Sequence, residues 1–564
     1  MSAKSTNLTN LTNLMFATDD EFTLEMLNTN SNGWTPFMIA CKNNSSLAKY
    51  ILNHKKFTPD MLNMKNSTGS TGFMIACCEY DPSLAKYILN HDKFTSDMLN
   101  IKNNDGWTPL MMACRFYPQI AKIILNNKKF TVDMLKSKTN DGWTPLMIAC
   151  RYKPQIAKSI LNHDKFTPEM FNEKTKDEWT PLMIACKNNP KIAKFILNHD
   201  KFTSDMLSVA NQGYTALMFA CENNFELVKY ILDHNKFTSE MLTIVDNDGW
   251  THLMIACYYN PKIAKLILNH DKFTSKMLTI ADNDGWTAPM IACKHHSELI
   301  KYILDHDKFT FEMLNAKTNN GWTPFMFACK YDTQTAKDII NHDKFISEML
   351  NAKTNNGCTC MMIACKYNPD LAKYILDHDK FTSEMLAITD SKYWTALMIA
   401  CEKYPELVKY ILDHDKFTSE MLNVIPNDGW THLMIACQNN SESAKHILNS
   451  IKMSPNIPNE KETSNWTPLM IACQNSSDCD LIKELILRSS PDTLKTQCNK
   501  FDINEIKTNN PMKKYAANGG QTFLHILAIY NPKIFCKIKS IIDLDFLNVT
   551  DNSGLVCSHY LHFD

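Results

Sequence analysis

Residues 247–282 read NDGWTHLMIACYYNPKIAKLILNHDKFTSKMLTIAD. Asn247-Asp248-Gly249 is a tight-turn signal, with a glycine free to take positive φ. A threonine follows, and in sister segments a proline comes next, as at Thr144-Pro145. That order predicts a helix N-cap and first helical position, where proline loses no hydrogen bond. Leu253, Met254, Ala256 and Cys257 then predict a short helix with small apolar residues for close packing. Asn260-Pro261 breaks it and starts a second helix, whose Ile263, Ala264, Ile267 and Leu268 share one face. His270 is expected in the last turn of that helix, where partial positive charge suits the dipole.

The remainder, Phe273-Thr274-Ser275-Lys276-Met277-Leu278, has variants such as Thr58-Pro59-Asp60 and Thr167-Pro168-Glu169. Proline and an acid after threonine predict a short extra helical turn. Phe273, Met277 and Leu278 would fold it back onto the second helix. Helices of about ten residues are not stable alone. Each segment must stack its apolar faces on its neighbours, which predicts a solenoid.

The segment recurs. The tryptophan slot is filled at 34, 107, 143, 179, 250, 286, 322, 394, 430 and 466, which accounts for all ten tryptophans. Ser70, Tyr214 and Cys358 occupy the vacant slots. Of the twelve steps between the thirteen positions, ten are 36 residues, one is 37 and one is 35. Twenty cysteines and 32 methionines in 564 residues would otherwise suggest metal or redox chemistry. Thirteen of each fill one slot per repeat, from Cys41 to Cys473 and from Met38 to Met470. The composition is one structural segment counted many times.

Net charge is −1, from 59 basic and 60 acidic residues, which argues against a general nucleic-acid binder. No run of 18 apolar residues predicts a membrane span, and no secretory signal pattern is evident. The expected compartment is cytoplasmic, with reduced cysteines.

Gly-Trp-Thr-Pro-Leu-Met-Ile-Ala-Cys resembles the Gly-x-Thr-Pro-Leu-His-x-Ala-Ala segment of ankyrin repeats, and Leu-Ala-Lys-Tyr-Ile-Leu resembles their second helix. The resemblance implies an all-α ankyrin-type solenoid of stacked helix-turn-helix repeats, here with a 36-residue period and short turns. The family repeat is about 33 residues. The added length falls in the Phe-Thr-Ser-Glu-Met-Leu segment. The family histidine after Thr-Pro-Leu is methionine in all thirteen repeats. Its backbone hydrogen bonds are therefore expected to be absent, with thioether packing in their place. Asn/Lys/Ile-rich, nearly identical repeats also resemble the expanded ankyrin-repeat proteins of giant DNA viruses of amoebae. That would place the chain in a host cytoplasm, acting on a host factor.

The expected organisation is a disordered lead at 1–20, a half repeat and thirteen repeats over 21–510, an inserted loop at 511–518, and a C-terminal repeat and cap at 519–564. Phe501 to Asn510 echoes the end of a repeat.

Catalytic chemistry finds no footing. A cysteine ladder with rungs about 10 Å apart cannot chelate one ion through bonds of about 2.3 Å. Cys358, Cys360 and Cys365 cluster in sequence but lack a second pair. His-Asp pairs such as His91-Asp92, His270-Asp271 and His414-Asp415 are spread along the array and do not converge. The expectation is no enzyme, no metal and no cofactor. A metal-dependent enzyme is the remote alternative.

Two surfaces remain. The tryptophan stripe is either scaffold, each indole packed on its neighbour, or a set of exposed anchors; its near-identity between repeats suits scaffold. Variation is greatest just after each ladder cysteine, where the family resemblance implies partner contact. Arg115-Phe116, Arg151-Tyr152, Tyr258-Tyr259, Lys330-Tyr331 and Lys366-Tyr367 are the candidate binding residues, arginine and tyrosine being frequent hot spots. A solvated helix end is the competing reading. The expected function is non-catalytic binding of a protein partner on the concave face by a monomer, without nucleic acid or membrane. A purely structural spacer is the alternative.

Overall fold

The computed structural model describes residues 23–24, 27, 33–79, 81–499 and 519–561. The expected lead at 1–20, the echo at 501–510 and the expected loop at 511–518 lie outside the described residues. The chain divides into two compact blocks, Met1–Asn283 and Asp284–Asp564. Each is built from the same repeat.

In the first block the repeat beginning at Asn247 shows how the sequence sets the fold. Thr251 is extended at φ −86°, and its side chain accepts the Met254 N–H at 3.2 Å. The first helix runs His252–Tyr259. Asn260 then serves two helices. Its N–H closes the first onto Ala256 O, and its side chain accepts the N–H groups of Lys262 and Ile263 to start the second, Pro261–Leu268. One extended residue satisfies orphan groups on both sides, which is why the connection is so short. Leu253, Met254, Ala256, Cys257, Ile263, Ala264, Ile267 and Leu268 are all at most 2% exposed. The extra turn forms at Lys276–Thr279, with Phe273, Met277 and Leu278 buried.

His270 departs from expectation. The second helix ends at Leu268, and Asn269 is its C-cap. The His270 N–H makes a tightening bond to Ile267 O at 3.2 Å, and Phe273 N–H bonds to His270 O at 2.9 Å. Its ring Nδ1 accepts the Lys272 N–H at 3.2 Å. The histidine therefore shapes the loop after the helix and does not sit in its last turn. Lysines from following repeats supply positive charge at second-helix C-termini instead. Lys272 Nζ donates to Leu232 O at 2.6 Å and His234 O at 3.3 Å, one repeat back.

The methionine slot also departs from expectation. The hydrogen bond to the cap is retained in weaker form. The Thr251 N–H reaches Met254 Sδ at 3.4 Å, and the Thr35 and Thr215 N–H groups reach Met38 and Met218 at 3.4 and 3.3 Å. Thioether sulfur is a weak acceptor, placed by the same N-cap geometry. The repeat at 519–561 has histidine in this slot. There the Thr522 N–H donates to His525 Nδ1 at 3.2 Å, and His525 Nε2 donates to Leu555 O at 2.9 Å. Methionine keeps the first link and lacks a donor for the second.

Turn tips tie neighbouring repeats together. In the first block Asn247 N–H bonds to Gln212 O, and Asn283 N–H to Asp248 O, both at 3.0 Å. Gly249 sits at φ +87°, and a Cβ there would lie 2.7 Å from Asp282 Cα. In the second block the same ladder joins Asn319 to Asp284 and Asn355 to Asn320. Ala210–Asn211 and Tyr214–Thr215 pair as a two-stranded antiparallel ribbon at one tip.

Two repeats place histidine where others have proline. His252 is joined to Thr215 Oγ1 of the previous repeat by a 2.8 Å hydrogen bond, and His432 to Thr395 Oγ1 at 2.9 Å. Both rings are 1% exposed, and burial pushes each imidazole down from 6.5 to about 4.

Two predictions follow from these positions. The folded state prefers neutral His252 and His432. Their contribution is whole above pH 6.5 and is lost as pH falls towards 4. At most about 3 kcal/mol per histidine is at stake. Urea midpoints measured between these pH values should fall, and the double variant His252→Pro/His432→Pro should flatten the decline. Separately, Gly249→Ala should lower the unfolding free energy, measured by urea titration, by about 1–2 kcal/mol or more. Glu178→Gly should raise it by about 1 kcal/mol, because Glu178 occupies the equivalent tip at φ +62°.

Candidate functional site

The variable pairs occupy the last turn of each first helix. Arg115-Phe116 ends Pro109–Phe116, and Arg151-Tyr152 ends Pro145–Tyr152. Tyr258-Tyr259 ends His252–Tyr259. In the second block Lys330-Tyr331 ends Pro324–Tyr331, and Lys366-Tyr367 ends Cys360–Tyr367. Phe116, Tyr152, Tyr258, Tyr259, Tyr331 and Tyr367 are exposed by 39–52%. Within each block these rings face solvent from the ends of rigid helices.

The cations of these pairs are engaged with rings. The Arg115 guanidinium lies 5.4 Å from the Trp107 ring, 5.3 Å from Phe116 and 5.4 Å from Tyr152 of the next repeat. Arg151 lies 5.4 Å from Trp143 and 5.3 Å from Tyr152. In the second block Lys330 Nζ sits over Trp322, Tyr331 and Tyr367, at 5.6, 5.0 and 5.3 Å. Lys366 sits over Tyr367 at 5.8 Å. Each such contact contributes about 0.5–1 kcal/mol at an exposed site. Where Tyr258 stands in the cation's place, its ring meets Trp250 edge-on at 5.6 Å and Tyr259 at 4.7 Å.

The tryptophan stripe fits neither expectation whole. All ten indoles are half-buried. Trp179 stacks on Phe219 of the next repeat at 4.5 Å, and in the second block Trp286 stacks on Phe327 at 4.3 Å. A cation eight residues further on covers many of the rings, as with Lys187 on Trp179 and Lys294 on Trp286, both at 5.0 Å. Tip, N-cap and first helix together bring that position back over the indole. The spacing of tryptophan and cation was present in the sequence, and reading the slots one at a time concealed it.

A second recurrent contact also escaped sequence reasoning. The lysine of each His-Asp-Lys-Phe segment reaches the preceding repeat. Lys93 Nζ donates to Leu52 O and His54 O, both at 2.9 Å. In the second block Lys416 donates to Leu376 O at 2.7 Å and His378 O at 2.9 Å. The same ammonium groups lie over buried rings, Lys93 over Phe57 and Lys416 over Phe381. A lysine 40 residues beyond the carbonyl it caps leaves no local signal.

Ladder cysteines are buried, and desolvation raises the thiol pKa of Cys41, Cys114, Cys150 and their counterparts above the ordinary range. Cys360 is pushed up to about 12 by burial. Cys358 is half-buried, and burial and nearby Asp390 raise it. Among the described residues no three His, Cys, Asp or Glu side chains converge as a metal set. The His-Asp pairs are loop structure: His163 and Asp164 both accept the Lys165 N–H, and His163 Nε2 donates to Leu125 O at 3.1 Å. No helix among the described residues is long and apolar enough to cross a membrane.

The family model described as "Ankyrin repeats (3 copies)" matches in overlapping segments that begin at residue 2 and end at residue 459. The chain has no match among curated proteins. One similar solved structure is titled a predatory endopeptidase from Bdellovibrio bacteriovorus in complex with an immunity protein. It is 24% identical over 33% of this chain and 89% of that one, with a TM-score of 0.27.

Thiol chemistry gives a direct check on the ladder. Alkylation of the native chain by iodoacetamide should modify exposed Cys536 first. The ladder cysteines should react only after denaturation, as mapped by peptide mass spectrometry.

Proposed function

Because the chain belongs to the ankyrin-repeat family, we propose that it is a non-catalytic scaffold that binds a partner protein through the last turns of its first helices. The observation that carries this reading is the set of exposed rings at 116, 152, 258 and 259 in the first block, and at 331 and 367 in the second, held on rigid helices and interleaved with arginine and lysine. Pre-set aromatic and cationic groups lose little freedom on binding, which is what an interface anchor requires. The binding residues in this reading are Arg115, Phe116, Arg151, Tyr152, Tyr258, Tyr259, Lys330, Tyr331, Lys366 and Tyr367. The concave placement comes from the family resemblance. A balanced charge supports a protein partner over nucleic acid. A viral chain capturing a host factor in the host cytoplasm is the finer form of the proposal, supported by the style and composition of the repeats.

Proximity labelling in cells, followed by crosslinking in extract, tests it. Replacing Arg151, Tyr152, Lys330, Tyr331, Lys366 and Tyr367 together should abolish saturable capture. Unfolding should remain cooperative, with about 0.5–1 kcal/mol lost per cation–ring contact. A matched variant on the second-helix surface, at Lys158, Lys194 and Tyr230, should retain capture. Saturable capture that survives the six-residue variant would sink the proposed site, and no saturable partner for the unaltered chain would favour a spacer.

A further inference from the structure

The repeat pattern fails in an informative way in the second block. Cys358 stands in a tryptophan slot, and the next slot holds Trp394. A cleft of about 480 Å³ opens here, lined by Trp322, Cys358, Tyr367 and Trp394, with Asp390, Glu402 and Asp428 among its polar groups. A thiol fills far less space than an indole, so the substitution accounts for room between the flanking tryptophans.

The charge pattern is inverted at the same place. Eight residues after Trp107, Trp143, Trp179, Trp286 and Trp322 stands a cation that covers the ring. Eight residues after Trp394 stands Glu402. No cation lies over Trp394 among the described residues. One other repeat, in the first block, carries an acid at this position, and there it is satisfied internally: Tyr214 Oη donates to Glu222 Oε1 at 3.1 Å. Trp394 has no hydroxyl to offer, and the Glu402 carboxylate has neither hydrogen bond nor ion pair among the described residues, while its backbone N–H closes the first helix onto Ile399 O at 3.3 Å. Asp390 is committed to the turn, accepting the N–H groups of Lys392 and Trp394 at 2.8 Å. Lys366 and Lys392 also line the cleft. Lys366 lies over Tyr367, and Lys392 is exposed, sharing the lining with Asp390, Glu402 and Asp428.

We propose that the Trp394 cleft receives a cationic side chain, arginine or lysine, from a basic segment of a partner protein. The incoming cation takes the place that an internal arginine or lysine fills in other repeats. It lies over an indole and is neutralised by Glu402, with Asp428 nearby. Aromatic faces and carboxylates together select a cation over a neutral side chain of equal shape. The inference rests on the protein-binding reading above and gives it one site and one partner chemistry.

The test uses the full chain labelled with 5-fluorotryptophan, with Trp394→Phe assigning one of ten fluorine resonances. The probes are the peptide acetyl-Ala-Arg-Ala-amide and its uncharged citrulline counterpart. The Trp394 resonance should move saturably with the arginine peptide and at least about fivefold more weakly with citrulline. Glu402→Lys should abolish the shift by restoring an internal cation. Cys358→Trp should do so by filling the cleft, which gives a second variant should the first perturb folding. An unmoved Trp394 resonance, equal response to citrulline, or a shift that survives both variants overturns the inference. The two proposals fail separately. Capture lost in the six-residue variant with a silent Trp394 defeats only the cleft. A charge-selective Trp394 shift with no saturable partner defeats only the scaffold reading.

Discussion

A second helix of eight or nine residues ends with carbonyls that it cannot satisfy, and this constraint organises the repeat. The solution recurs along both blocks. A lysine from the next repeat crosses the helix end and donates to one carbonyl of its last turn and one just beyond it, as Lys272 does to Leu232 and His234 and Lys380 to Ile340 and His342. The same side chain lies over a buried phenylalanine of the repeat it caps, Phe237 and Phe345 in these cases. One residue thus supplies dipole complement, hydrogen bonds and packing. Each short helix depends on its neighbour for its polar groups as well as its apolar face. Nearest-neighbour dependence of this kind is what makes a repeat stack cooperative. Where lysine is absent, Arg488 takes the role, donating to Leu448 O at 2.7 Å.

Much of this architecture was legible because its causes are local. Threonine before proline, asparagine between helices and glycine at the tip each act within a few residues. The period of 36 then multiplies the signal. What escaped reading depends on the neighbouring repeat or on three-dimensional return of the chain. Lys93 and its capped carbonyls are about 40 residues apart, so no local pattern joins them. His270 was misplaced by two residues because helix length was read from apolar spacing. The i→i+3 bond that ends the helix leaves no mark in that spacing. Replacing the family histidine by methionine suggests loss of the cap hydrogen bond, yet a weaker contact to sulfur persists. The methionine's position three residues after the threonine brings it to the N–H regardless.

The tryptophan surface shows why framework and function are hard to separate in a repeat array. All ten indoles are half-buried; Trp179 and Trp286 stack on the next repeat, and several rings are covered by the cation eight residues on. At Arg151 and Lys330 the ring face is occupied and the cation is itself displayed beside an exposed tyrosine. The near-identity that suggests scaffold therefore coexists with a surface of interleaved charge and aromaticity. Packing contact and solvent-facing display are two sides of one set of residues.

Information about a partner should then sit where repeats differ. The consensus residues are fixed by stacking, and a change there costs stability in two repeats at once. Cys358 and Glu402 break the consensus in adjacent repeats, at positions that face one cleft. Losing the indole removes packing, and replacing the cation with an acid removes a favourable ring contact while leaving a carboxylate unpaired. Neither change improves the stack. A pair of departures that both weaken the framework and together form one cavity of defined charge is better explained by what enters the cavity than by what surrounds it.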